Sequence, residues 1–183
     1  EKMKKNKKTV LVVLGGRSKE RKVSLASGRA CIKAIKRLRY RVKKLDPAKT
    51  SWFKIERSKI DLMFNALHGK GGEDGEIQSA FEFLKIPYTH SGPLSSYNSM
   101  NKVISKKFFE KNKILVPKRF ILEKKIKSEE ILRKIKKFNV KYPIVVKPSD
   151  EGSSIGVKIC KNSKVLRKSI NSLKKKYKTL LIE

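Results

Sequence analysis

Val10 to Leu14 is an unbroken apolar run, and Gly15-Gly16 ends it. Aliphatic and β-branched residues bounded by turn formers read as a buried strand. Apolar residues then recur at helical spacing through Leu25, Ala26, Cys31, Ile32, Ile35 and Leu38, with Ser24 as the expected N-cap. Tyr40 to Leu45 alternates as a second strand, and Asp46-Pro47 breaks it. Ile60 to Leu67 is a third buried run. Strand, helix, strand and strand in this order constrain the first half to an open, mostly parallel sheet with crossover helices. Ligands of such sheets sit at the carboxyl ends of the strands. Glu20 follows the first strand and His68 the third, so both fall on that edge.

His68 opens a loop with four glycines, His68-Gly69-Lys70-Gly71-Gly72-Glu73-Asp74-Gly75. Glycines at this density imply unusual dihedrals or close backbone approach. Glu73 and Asp74 are expected to hold this loop and cap the helix after it. That helix covers Glu76 to Leu84, and Pro87 stops it. Tyr88 to His90 is a short strand candidate. One long helix is expected from about Leu94 to Lys111, with Met100, Val103, Ile104 and Phe108 inward. The expected domains are 1–100 and 101–183. In the second half, Lys118 to Leu122 reads as a strand and Ser128 caps a helix. Pro143 to Lys147 pairs antiparallel with Ser154 to Cys160. Ser163 caps a helix to Lys176, and Leu180 begins a last strand. The order is β-α-β-β-α-β, a small α+β unit.

The net charge of +32 first suggests nucleic acid or an anionic membrane. Arginine is the better fork for phosphates and bases, yet 38 of the 48 basic residues are lysine. The lysines are spread over nearly every segment except Ile60 to Asn101, where Asp61, Glu73, Asp74, Glu76 and Glu82 outnumber Lys70 and Lys85. Most of this charge therefore reads as solvated surface. No specific nucleic acid and no membrane is expected as a partner. With 38% hydrophobic residues the chain can bury a normal core. Cys31 and Cys160 match no metal spacing and suit a reducing compartment, and Val10 to Leu14 is too short for a signal peptide. The expected location is the cytoplasm. The end at Glu183 reads as cut.

Pro143 to Val146 leads into Lys147-Pro148-Ser149-Asp150-Glu151-Gly152-Ser153-Ser154-Ile155-Gly156. Small residues here leave the backbone open to a ligand, and Lys147 adds a positive charge. The stretch can serve as a phosphate cradle or, equally, as a polar hairpin turn. It is not the P-loop pattern, in which Gly-Lys-Ser/Thr opens a helix.

Four stretches together resemble the D-alanine–D-alanine ligases, an ATP-grasp family. They are Gly15 to Ser24, His68 to Gly75, Met100-Asn101-Lys102 and Lys147 to Gly156. The resemblance covers the family's amino-terminal and central domains and none of its carboxy-terminal domain. It implies an amino-terminal pre-ATP-grasp, Rossmann-like parallel sheet and a small α+β ATP-grasp central subdomain. It also implies the activity. ATP phosphorylates the carboxylate of one D-alanine, and the amine of a second D-alanine displaces phosphate from the acyl phosphate. Mg²⁺ (or Mn²⁺) and lysines neutralise the transferring phosphoryl group.

Carried over motif by motif, Glu20 binds the first ammonium group, Val23 packs on the substrate methyl and His68 lies near the substrate carboxylate. The plain alternatives are a surface acid, core packing and a structural histidine. Lys102 and Lys147 contact ATP phosphates. Ser153 bonds to Glu20 and closes the substrate site. Ser154 covers the terminal phosphate, and Glu183 starts the adenine hinge. Asn101 departs from the acid usual before the lysine, and Asp150 replaces a commonly basic residue. The family's metal ligands lie in the domain not covered, so no metal ligand is expected in this chain, and the chain alone is expected to be inactive. A homodimer is implied by the resemblance only. The alternatives are a ligase with a D-lactate or D-serine acceptor, a truncated non-catalytic nucleotide-binding paralogue, and a basic nucleic-acid-binding protein.

Overall fold

The computed structural model describes residues 8–123 and 127–183. The chain divides into two compact units, one ending at Tyr97 and one starting at Asn98. In the first unit, β1 (Thr9–Val13) runs into α1 (Arg21–Arg37), followed by β2 (Arg41–Leu45) and β3 (Leu62–Asn65). The strand order is β2-β1-β3, all parallel. Central β1 is buried on both faces, as its continuous apolar run requires. Val10, Val12 and Leu14 pack with Ile32 and Ala66. Leu11 and Val13 face Met63, Ile77 and Phe81 on the other side. Helix α1 lies close over the strand end, since a β-carbon at Gly28 would stand 2.5 Å from Leu14 Cβ. Then come α2 (Glu76–Leu84) and α3 (Pro93–Met100). The strand expected at Tyr88 is a single parallel bridge to Met63.

The second unit holds α4 (Lys102–Lys111), β4 (Phe120–Glu123), α5 (Ser128–Lys137), β5 (Ile144–Pro148), β6 (Lys158–Cys160), α6 (Ser163–Lys174) and β7 (Thr179–Ile182). The strands pair antiparallel in the order β4-β7-β5-β6. Leu122, Ile144, Val146, Leu180 and Ile182 form the strand side of one core, and Ile131, Leu166 and Ile170 form its helical side. The molecule is thus a mixed α/β chain with one parallel and one antiparallel sheet. Among the described residues no helix is long and apolar enough to cross a membrane.

Five local expectations need correction. Ser24 is no cap: α1 begins three residues earlier, with Glu20 at the N-cap position. Ser24 is fully buried, accepting from Gly15 N–H at 2.8 Å and donating to Ala66 O at 2.6 Å. Its hydroxyl joins the ends of β1 and β3, a tertiary role that outcompetes capping. The long helix is two helices. Asn101 leaves helical geometry and its Oδ1 accepts from Val103 N–H (3.0 Å) and Ile104 N–H (3.2 Å), starting α4 afresh. Phe108 is not inward but about half exposed. Asn162, not Ser163, caps α6, its Oδ1 accepting from Val165 N–H at 3.0 Å. At α5 the N-cap position is Lys127, with Ser128 already in the first turn.

Candidate functional site

Glu20 sits where the β1 loop turns into α1, with only 9% of its surface exposed. Its N–H donates to Ser18 Oγ at 3.1 Å, and Ser18 Oγ donates to His68 O at 2.7 Å. One serine hydroxyl therefore joins the loops after β1 and β3, the two loops that carry Glu20 and His68. Gly69, beside His68, lies directly against the Glu20 carboxylate, with φ +68°. The imidazole of His68 is bracketed: Ser27 Oγ lies 2.9 Å from Nε2 and Glu73 Oε1 lies 3.4 Å from Nδ1. Glu73 also accepts from Gly69 N–H at 3.0 Å. Asp74 accepts from Gly71 N–H at 2.9 Å and Glu76 N–H at 3.3 Å, which holds the glycine loop and starts α2. Val23 is 55% exposed on α1, so simple core packing is ruled out for it.

The Gly15-Gly16 turn is fastened by a fork. Arg21 donates to both Asp46 oxygens, at 2.9 and 2.6 Å, and Asp46 Oδ1 also accepts from Gly16 N–H at 3.0 Å. The Arg21 hydrogen bonds pull the Asp46 carboxyl down to about 2, against the opposing effect of burial.

In the second unit, Lys147 stands on β5 opposite Leu181 of β7. Glu183 follows two residues after Leu181, so it projects to the same face as Lys147. Lys147 Nζ bonds Glu183 Oε1. Lys102 and Lys106 are one helical turn apart on α4 and share a face. Lys106 Nζ lies 2.8 Å from the other Glu183 oxygen. Lys102 Nζ donates to Glu151 O, and its N–H donates to Ser149 O at 2.8 Å, fastening the start of α4 to the loop after β5. Two ammonium groups thus hold one carboxylate, and a third, that of Lys102, is close enough to feel the charges of Lys147 and Glu183. Burial pushes the Lys102 ammonium below its ordinary range, and the Lys147 charge adds to this. Burial alone would raise the Glu183 carboxyl, but Lys106 and Lys147 outweigh it and hold the group below its ordinary value.

The loop beside this cluster is compressed. Ser153 and Ser154 have φ of +44° and +57°, a pair of left-handed non-glycine residues. A β-carbon at Gly156 would stand 2.8 Å from Pro148 Cγ, so the loop folds back on the strand that carries Lys147. Glu183 also borders a cavity of about 370 Å³ lined by Pro117, Lys118, Asn139, Val140 and Lys141. Among the described residues no three of His, Cys, Asp and Glu converge into a metal site.

Sequence reasoning brought forward Lys147 and Glu183, which meet, Lys102, which feels both their charges, and Glu20 and His68, whose loops meet through Ser18. It missed Ser18, Ser27 and Lys106. The signal for Lys106 was its spacing of four from Lys102, unreadable among so many lysines.

A parallel unit followed by an antiparallel unit defines a two-unit mixed α/β chain. A model described as the D-ala D-ala ligase N-terminus matches residues 43–91, and one described as the D-ala D-ala ligase C-terminus matches residues 101–183. The chain is 46% identical over 176 residues to the D-alanine–D-alanine ligase of Pelagibacter ubique, covering 96% of this chain and 57% of that one. It superposes with a TM-score of 0.83 on the D-alanine–D-alanine ligase of Bacillus anthracis, 34% identical, over 96% of this chain and 57% of that one. The same ligase complexed with ATP gives a TM-score of 0.78 at 30% identity, over 96% and 58% of the two chains. The chain belongs to the D-alanine–D-alanine ligase family, and it spans about half the length of the curated relatives it matches.

Proposed function

We propose that the chain supplies the amino-terminal and central domains, residues 1–100 and 101–183, of an ATP-dependent ligase that joins two D-alanine molecules through an acyl phosphate for peptidoglycan synthesis. In ATP-grasp terms the first is the pre-ATP-grasp domain and the second the central subdomain. The observation that carries this reading is the pair Lys106 and Lys147 on a single carboxylate, with the Lys102 ammonium within reach of the same charges, beside a loop of small residues in left-handed geometry. A half-buried excess of positive charge favours a multiply charged anion, and a triphosphate fits it.

In this reading Lys102 and Lys147 hold phosphates, and Ser154 with neighbouring N–H groups covers the terminal one. Glu183 marks the adenine side, where the cavity bounded by Pro117 and Val140 accepts an apolar ring. Glu20 binds the ammonium group of the first D-alanine, and the exposed Val23 meets its methyl. His68, steadied by Ser27 and Glu73, faces its carboxylate. Ser153, in the loop after β5, would close the substrate site. Holding the first D-alanine rigidly lowers the barrier by alignment. Mg²⁺ (or Mn²⁺) would supply further charge neutralisation. The residues described here form no site for it, and no step is assigned through it. A cytoplasmic homodimer completes the reading.

The test is D-alanine-dependent ADP release by the natural full-length protein, with L-alanine as control, beside ATP affinity of the parent and Lys147→Ala. Release with the D form only, and weaker ATP binding by the variant, are expected. ATP binding with no release for either alanine would instead identify a nucleotide-binding protein without ligase activity. Equal ATP affinity in the variant would make the loop only a turn.

A further inference from the structure

Lys106 has no role in the chemistry assigned above, yet its side chain is 13% exposed and points at Glu183. The Glu183 carboxylate, 10% exposed, is held from both sides, by Lys147 on Oε1 and by Lys106 on Oε2. Glu183 is fixed in place by its backbone, which exchanges hydrogen bonds with Val145 at 2.6 and 3.0 Å. It cannot follow Lys147 if Lys147 moves.

An anion arriving at Lys147 must compete with this carboxylate. If Lys147 turned to a phosphate with no other cation near, Glu183 would be left as a buried charge without a partner, next to an incoming negative charge. Breaking one side of a buried ion pair is strongly unfavourable for that reason. Lys106 removes the obstacle. Its contact is to the oxygen that Lys147 does not use, and it comes from α4 rather than from the sheet. It can keep Glu183 neutralised while Lys147 changes partner.

We infer that Lys106 is a positioning residue for nucleotide binding, a resident counter-ion that holds the Glu183 carboxylate so that Lys147 can be handed over to phosphate. This rests on the nucleotide reading of the site. It differs from a direct Lys106–phosphate contact in one respect: the need for Lys106 should vanish when Glu183 loses its charge.

The experiment is a double-mutant cycle on the full natural chain, with ATP and adenosine affinities measured by calorimetry. Lys106→Met is expected to weaken ATP binding roughly tenfold, about 1.4 kcal/mol, and to leave adenosine affinity unchanged. Lys106→Arg keeps the charge and is expected to bind ATP within about twofold of the parent. Adding Glu183→Gln to Lys106→Met is expected to bring ATP affinity back to that of Glu183→Gln alone. A tenfold loss that persists in the Glu183→Gln background would overturn the hand-over and make Lys106 a direct phosphate ligand. Parental ATP affinity in Lys106→Met, or equal loss for ATP and adenosine, would also overturn it while leaving the nucleotide reading intact. Failure of the unsubstituted protein to bind ATP would overturn both.

Discussion

The carboxylate of Glu20 rests on Gly69: a β-carbon at position 69 would stand 2.4 Å from Glu20 Oε2. Gly69 also has φ +68°, a region unfavourable to a side chain. Gly69→Ala therefore carries a backbone penalty of about 1 kcal/mol and pushes Glu20 aside. The melting temperature is expected to fall by about 3 °C. Turnover of D-alanine by the full natural chain is expected to fall further than this stability loss explains. Parental turnover in a variant with the lowered melting point would separate the Glu20–Gly69 contact from the chemistry.

Glu20→Gln keeps the shape of the side chain and removes its charge. A hydrogen bond to a charged group contributes about 2–3 kcal/mol, so turnover per substrate concentration should drop on the order of a hundredfold. The melting temperature should fall far less than turnover does, since the amide keeps the size and shape of the side chain in its place. Near-normal turnover would take Glu20 out of the site.

The Arg21–Asp46 fork predicts a pH effect. The folded carboxyl titrates at about 2 against an ordinary 3.8, so the fork's contribution is fully present above the ordinary value. It is lost as pH falls from about 4 toward 2. Asp46→Asn should be less stable than the parent at neutral pH, and the difference should shrink steadily through that window. Urea midpoints at several pH values would show it. A difference independent of pH would mean that Asp46 acts by packing the Gly15-Gly16 turn and not by its charge.

The limits of reading this chain from sequence follow particular residues. Val10 to Leu14 was legible because a strand buried on both faces needs an unbroken apolar run. Lys147 and Glu183 were legible only through motif and position, since the register that sets them on one face lies in the pairing of β5 with β7. Ser24 looked like a cap because capping is a local signal, while its real partners, Gly15 and Ala66, come from two other segments. Lys106 could not be singled out among 38 lysines until its partner was placed.

Asn101 hid the break between α3 and α4, and it carries the last prediction. Its Oδ1 takes the N–H groups of Val103 and Ile104, two donors that the first turn of α4 cannot satisfy internally. Asn101→Ala should lower the unfolding free energy by about 1 kcal/mol and speed amide exchange at Val103 and Ile104. Asn101→Asp keeps the acceptor and adds a negative charge at the positive end of the helix, with a gain of about 0.5 kcal/mol. Lys102 is the first residue of α4, and its N–H and ammonium both reach the loop after β5. Fraying of this turn therefore loosens the lysine proposed to hold phosphate. ATP affinity should fall in the alanine variant and hold in the aspartate variant. Unchanged exchange at Val103 and Ile104 in Asn101→Ala would show that Lys102 N–H bonding to Ser149, not the cap, starts the helix.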